Sequence, residues 1–221
     1  MEPFYTFHIE LKKLNKKLLN MSTQVEERFR QATSLIANYD EQTSQSIILS
    51  DYQIDEQEVE IEEDCLKILA LHQPVAGDLR FIVTVIKVNN ELERIADMGV
   101  NIAIGARAIS KSASGDLVKS IDFSEMSEKV LKMLKDSLDA LITRDASLAR
   151  KVFLMDDEVD AQHDYIFEAI KDIIKQNPEH PGGLLNTFLL ARNLERTGDR
   201  ATNIAEEAIY LVEGVVTRSN S

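Results

Sequence analysis

The chain has 221 residues, 44% hydrophobic and 29% charged, with a formal net charge of −13. That acidity excludes a nucleic-acid groove, which needs clustered Lys and Arg to displace counterions. Eight glycines and four prolines leave little material for turns, and the one cysteine allows no intrachain disulfide, so long helices are the expected content.

In chain order, a first helix is predicted from about Phe4 to Asn38. Its Lys12, Lys13, Lys16 and Lys17 sit among Leu11, Leu14, Leu18 and Leu19, which reads as the wet face of an amphipathic helix rather than a lipid or acidic-partner patch. Glu2, His8 and Glu10 interrupt the apolar segment that a secretory leader would need, so the expected compartment is the cytosol. Asp40 is placed as the N-cap of a second helix reaching about Leu71. Cys65 in that helix lies beside Leu66 and Ile68 and is expected to be a small core residue, not a nucleophile.

His72–Gly77, with Pro74, forms a turn, and Asp78 is expected to cap a third helix to about Ser110. Lys111–Asp116 reads as a linker. Asp122 with Glu125 resembles a capping box that opens a fourth helix to about Ile142. Asp145 opens a fifth to about Lys175. Asn177–Gly183 breaks the chain again, and a sixth helix runs to Glu213, where Gly214 suits a left-handed C-cap. His72 and His180, in these breaks, are expected to be simply exposed. No strand-like alternation competes, and apolar runs such as Phe81–Ile86 are too short to span a bilayer.

The halves repeat. Met21 and Val25 match Met126 and Val130 at an offset of 105, and Asp40, Asp51 and Asp55 fall on Asp145, Asp156 and Asp160. Leu92-Glu-Arg-Ile-Ala-Asp97 matches Leu194-Glu-Arg-Thr-Gly-Asp199 at 102, and Asn101-Ile-Ala matches Asn203-Ile-Ala. Collinear blocks at nearly one offset predict an all-α fold of two similar three-helix bundles about a pseudo-two-fold axis, over residues 1–112 and 117–216.

The repeats carry carboxylates at four-residue spacing. Glu93, Asp97 and Asn101 form one oxygen-bearing row, with Glu195, Asp199 and Asn203 as its copy. Asp51 with Asp55, and Asp156 with Asp160, supply the second helix of each bundle. With 38 acidic residues, one such pair carries no information; recurrence at equivalent positions does. Two readings stay open: hard-donor sites for magnesium, manganese or iron, or a structural ion network in which Arg94 and Arg196 pair with neighbouring carboxylates. Asp160 with His163 is the nearest approach to a di-iron oxidase motif, and it occurs in one half only, which weighs against a carboxylate-bridged metalloenzyme. A lone helical His163 is more often a packing residue than a ligand. There is no phosphate-cradling glycine loop, nucleophile elbow or Cys-x-x-Cys pair, so no catalytic residue is assigned.

The duplicated Leu-Glu-Arg-x-x-Asp…Asn-Ile-Ala blocks, with Gln73-Pro-Val-Ala-Gly-Asp-Leu-Arg80, resemble the PhoU family of phosphate-transport regulators from about Phe4 to Gly214. The resemblance implies multinuclear iron or zinc on Asp51, Asp55, Glu93, Asp97 and Asn101 in one half, and on Asp156, Asp160, Glu195, Asp199 and Asn203 in the other. It implies a homodimer that acts between the transporter's cytoplasmic ATPase subunit and a sensor histidine kinase, shutting down phosphate uptake when phosphate is plentiful. Oxygen-only donors favour iron, manganese or magnesium over zinc. Two departures stand out: Ala96 where the second half has Gly198, and Gly182-Gly-Leu-Leu185 in place of a counterpart to Asp78-Leu-Arg80.

Overall fold

The structure, a computed structural model, describes residues 3–112, 120–178 and 181–218. Among these there are seven helices and no strand: α1 (Pro3–Ala37), α2 (Glu41–Leu49), α3 (Tyr52–His72), α4 (Ala76–Ser110), α5 (Ser124–Thr143), α6 (Ala146–Gln176) and α7 (Pro181–Glu213). The plan is that of six long helices with the second in two pieces. The expected linker at Lys111–Asp116 lies partly outside the described residues, as does His180.

α2 ends at Ser50, whose φ of −100° and ψ of 6° leave the helical region, although its N–H and Oγ both still reach the Ser46 carbonyl. The counterpart of Ser50 is Met155, and α6 runs through it unbroken. Local chemistry sets some of the helix starts. Asp40 accepts from the Thr43 N–H and Asp145 from those of Ser147 and Leu148. The expected capping box at Asp122 and Glu125 does not form: Phe123 takes the N-cap position without a side-chain cap, and Asp122, one residue earlier, accepts from the Ser124 N–H. The helix after the Pro74 turn starts at Ala76, two residues before the expected cap, so Asp78 lies in its first turn. Gly214 has the expected positive φ, +71°.

Each half packs its three helical rods against one another, and α4 against α7 is the most extensive contact in the molecule, with a smaller one between α1 and α5. At their crossing Gly105 stands where a Cβ would come 2.8 Å from Leu190 Cδ2, so glycine lets the two helices approach. The buried apolar side chains form one continuous cluster spanning both halves, from Leu14 and Phe29 to Leu194 and Ile209. Cys65 is fully buried, and burial pushes its thiol up to about 12, as a packing residue requires.

Surface charge fastens the rods. Lys17 bridges to Glu60 and Asp64, joining α1 to α3, while Lys12, Lys13 and Lys16 are exposed. His72 departs from the expected exposure: it closes the last turn of α3, packs 5.1 Å from the Phe7 ring, and pairs with Glu10 Oε2 at 2.8 Å. No helix of the described residues is long and apolar enough to cross a membrane.

Candidate metal centres on two carboxylate rows

In the first half, the start of α3 brings Asp51 and Asp55 against Glu93 and Asp97 of α4. Burial, followed by the charges of Asp55 and Asp97, raises the pKa of Asp51. Burial and the same neighbours raise Glu93, and burial with Asp55 raises Asp97. Glu58 of α3 joins this group: burial comes first among the causes of its raised pKa, then Glu62 and Asp55. Arg28 of α1 is the cation that acts on Asp51, and Arg94 acts on Glu93. Desolvation lowers the pKa of Arg28, while Asp51 and Asp55 act in the opposite direction.

The second half repeats the arrangement. Asp156 and Asp160 of α6 meet Glu195 and Asp199 of α7. Asp156 is only 8% exposed, and burial, then Asp160 and Asp199, push its carboxyl up to about 6. Burial leads the upward shifts of Asp160, Glu195 and Asp199 as well.

The halves differ at one telling place. The counterpart of Arg28 is Met133, so no cation stands at that place in the second cluster. A Cβ on Gly198 would lie 3.5 Å from both Met133 Cε and Asp156 Oδ1. Asp156 therefore sits between a methionine and a bare glycine, with the Thr202 hydroxyl as the neighbour that offsets part of its upward shift. Those distances are ordinary van der Waals contacts, and Ala96 already occupies the matching place in the first half. Gly198→Ala should therefore raise stability by about 0.5–1 kcal/mol, the gain of removing a helix-interior glycine. Thermal melting checks it; a lowered melting temperature would show that Asp156 needs the vacant space.

The row carboxylates are not spent on ion pairs. Among the described residues, none of Asp51, Asp55, Glu93, Asp97, Asp156, Asp160, Glu195 and Asp199 has a Lys, Arg or His nitrogen within 4 Å. Arg94 and Arg196 form no ion pair with the rows, and their charges rank last or near last among the influences on Glu93, Glu195 and Asp199, which weighs against the ion-network reading. Moreover, Asp51 Oδ1 and Asp156 Oδ1, equivalent atoms of the duplication, are both buried without a hydrogen-bond partner. A buried carboxylate oxygen in that state calls for a proton, a water or a cation.

The asparagines fare differently. Asn203 donates to Glu91 Oε1 at 3.3 Å, beside an Arg200–Glu91 ion pair at 3.4 Å, so its amide is turned to α4. Asn101 is exposed. His163 lies beside Asp160, with its ring 5.8 Å from that of Phe188 and its Nε2 buried without a partner. The residues that spacing alone missed are Arg28 and Glu58. Glu58 was recoverable, because position 58 is the repeat counterpart of His163. Arg28 came with no motif; only the packing of α1 against α3 brings it there.

The donor set, carboxylate oxygens with one imidazole, fits a hard or borderline cation such as iron or manganese. As they stand, no three His, Cys, Asp or Glu side chains among the described residues converge closely enough to enclose an ion.

Fold and site together define a class: a duplicated three-helix bundle that carries an under-neutralised carboxylate row on each copy. The PhoU domain family model matches residues 18–104 and 123–208, and the chain belongs to that family. A phosphate-specific transport system accessory protein PhoU homolog of Clostridium acetobutylicum is 35% identical over 209 residues, 94% of each chain. The crystal structure of PhoU from Pseudomonas aeruginosa superposes with a TM-score of 0.87 at 33% identity, covering 95% of this chain and all of that one. The phosphate transport system regulatory protein PhoU of Streptococcus pneumoniae gives 0.84 at 27% identity, covering 96% and 99%.

Proposed function

We infer that the chain is a non-enzymatic accessory regulator of phosphate transport whose two carboxylate rows hold metal. The observation that carries the metal is the matched pair of unpartnered buried oxygens, Asp51 Oδ1 and Asp156 Oδ1, in rows without an ion-pair partner. The regulatory role is supported by relatives named as accessory proteins of phosphate-specific transport.

On this reading Asp51, Asp55, Glu93 and Asp97 hold one centre, and Asp156, Asp160, Glu195 and Asp199 the other. Glu58 and His163 extend the rows, so the second centre offers a nitrogen donor that the first lacks. Iron suits both donor sets, with manganese next. Asn101 and Asn203 are the weakest members, one exposed and one held by Glu91. Bound cations offset the mutual repulsion of the rows and stiffen the faces that a protein partner meets. The protein acts in the cytosol as a homodimer, on the transporter's ATPase subunit and a sensor histidine kinase.

The test is affinity capture of the tagged full-length chain from cells grown in high and in low phosphate. The ATPase subunit or the kinase should co-purify, with recovery greater in high phosphate. Capture of neither component under either condition would refute the partner assignment, whatever the metal content.

A further inference from the structure

Far from the rows, the start of α4 meets the first half of α1 and the C-terminal ends of α5 and α7 around a groove of about 1030 Å³. Leu18, Phe81, Val85, Leu141 and Leu211 give it apolar walls. In a chain of net charge −13 its charged lining is unusual: Lys12, Arg80 and Arg144 against a single acid, Asp78. The first turn of α4, at its mouth, has Val75 at the N-cap position and so no side-chain cap.

Two polar groups in this lining are buried and unsatisfied. Thr84 is 1% exposed and its Oγ1 has no hydrogen-bond partner; Arg80 Nε, one helical turn earlier on the same face, has none either. Helical hydroxyls in this protein normally return to the carbonyl four residues back, as Ser22 does to Leu18 and Thr187 to Gly183. Thr84 does not. Nor does the repeat require these side chains: at the offset of 102 the second half has Gly182 and Asn186 in their places. An unpaired guanidinium N–H and a hydroxyl, side by side under apolar walls, suit an oxyanion attached to an apolar body.

We propose that this groove binds a small amphipathic anion, its phosphate or carboxylate headgroup accepting from Arg80 Nε and Thr84 Oγ1 and its apolar body lying along Leu18, Phe81 and Val85. The depth of Thr84 favours a single molecule entering the groove over docking on a membrane surface or an acidic peptide laid across it.

Calorimetric titration of the full chain with n-octyl phosphate, n-octanoate and inorganic phosphate tests this. Octyl phosphate should bind saturably at one site per chain, at least about tenfold more tightly than inorganic phosphate, because the walls hold its tail. Arg80→Gln should weaken it about tenfold or more and Thr84→Val about threefold to tenfold. Thr84→Val, nearly isosteric, should also raise the melting temperature of the ligand-free protein by removing the unpaired hydroxyl, so the proposal stays testable if Arg80→Gln unfolds. Absence of saturable binding, or octyl phosphate affinity indifferent to Thr84→Val, overturns it. Co-sedimentation with phosphatidylglycerol vesicles that is stronger than octyl phosphate binding and unaffected by Arg80→Gln overturns it too, in favour of surface attraction.

Discussion

Iron or manganese at about one hundred times its dissociation constant should raise the melting temperature by about 5–10 °C over the chelated protein. A ligand present at that excess contributes about 2.7 kcal/mol, and a domain of this size shifts about 2–4 °C per kcal/mol. An Asp51→Asn/Asp156→Asn variant should lose the rise. The same variant, without metal, should melt higher than the metal-free natural protein, because it removes two buried charges that have no partner. This second sign separates metal binding from ordinary structural roles. Were the rows ion networks, neutralising them would destabilise the chelated protein, and chelation would change nothing. Metal content measured on protein purified without chelator supplies the stoichiometry. An unchanged content in a Glu93→Ala/Asp97→Ala/Glu195→Ala/Asp199→Ala variant would place the metal elsewhere.

The chelated protein should also lose stability as pH rises from about 4 to about 6, against the usual behaviour of acidic proteins. In the unfolded chain Asp156 titrates at its ordinary 3.8; folding pushes it up to about 6. Between those values the folded state holds a proton that the unfolded state has released, so protons favour folding. The contribution is full below about 4 and lost as pH climbs through 6, about 3 kcal/mol for Asp156 alone. Raised values at Asp51, Glu93, Asp97, Asp160, Glu195 and Asp199 act with the same sign. The exposed carboxylates Asp40 and Asp122 are held below the ordinary range by the hydrogen bonds they accept, so their loss falls below this window. Melting curves in chelator from pH 4.5 to 7.5 should show a falling melting temperature, and Asp156→Asn should flatten most of the slope. A melting temperature that climbs across that window contradicts the assignment. Saturating metal should reverse the trend, because it competes with protons for the same oxygens.

The difference between the halves bears on both results. Arg28 offsets part of the first row's charge, and Met133 stands in its place in the second. Asp156 is the more deeply buried of the two equivalent aspartates and burial is the chief cause of its upward shift, so the pH slope should reside mainly in the second half.

The sequence by itself determined what depends on residues near one another along the chain. Asp40 and Asp145 cap their helices because an N-cap carboxylate needs only the N–H groups two or three residues on. The four-residue spacing of Glu93 with Asp97 and of Glu195 with Asp199 places each pair on one helical face, and the duplication showed that two such faces exist.

Only the tertiary structure decided which charges meet. His72 in a loop pattern gave no sign of Phe7 and Glu10, some sixty residues earlier, against which it packs. Asn203 has the spacing of a ligand, yet Glu91 from the opposite half claims its amide. Arg94 and Arg196 adjoin the rows in sequence yet form no ion pair with them, while Arg28 reaches the first row from α1. The carboxylate rows that opened the case thus owe their position to helical period. Their unneutralised state, from which the metal reading follows, depends on what α1, α4 and α7 bring against them, and contacts across so many residues leave no periodic trace in the chain.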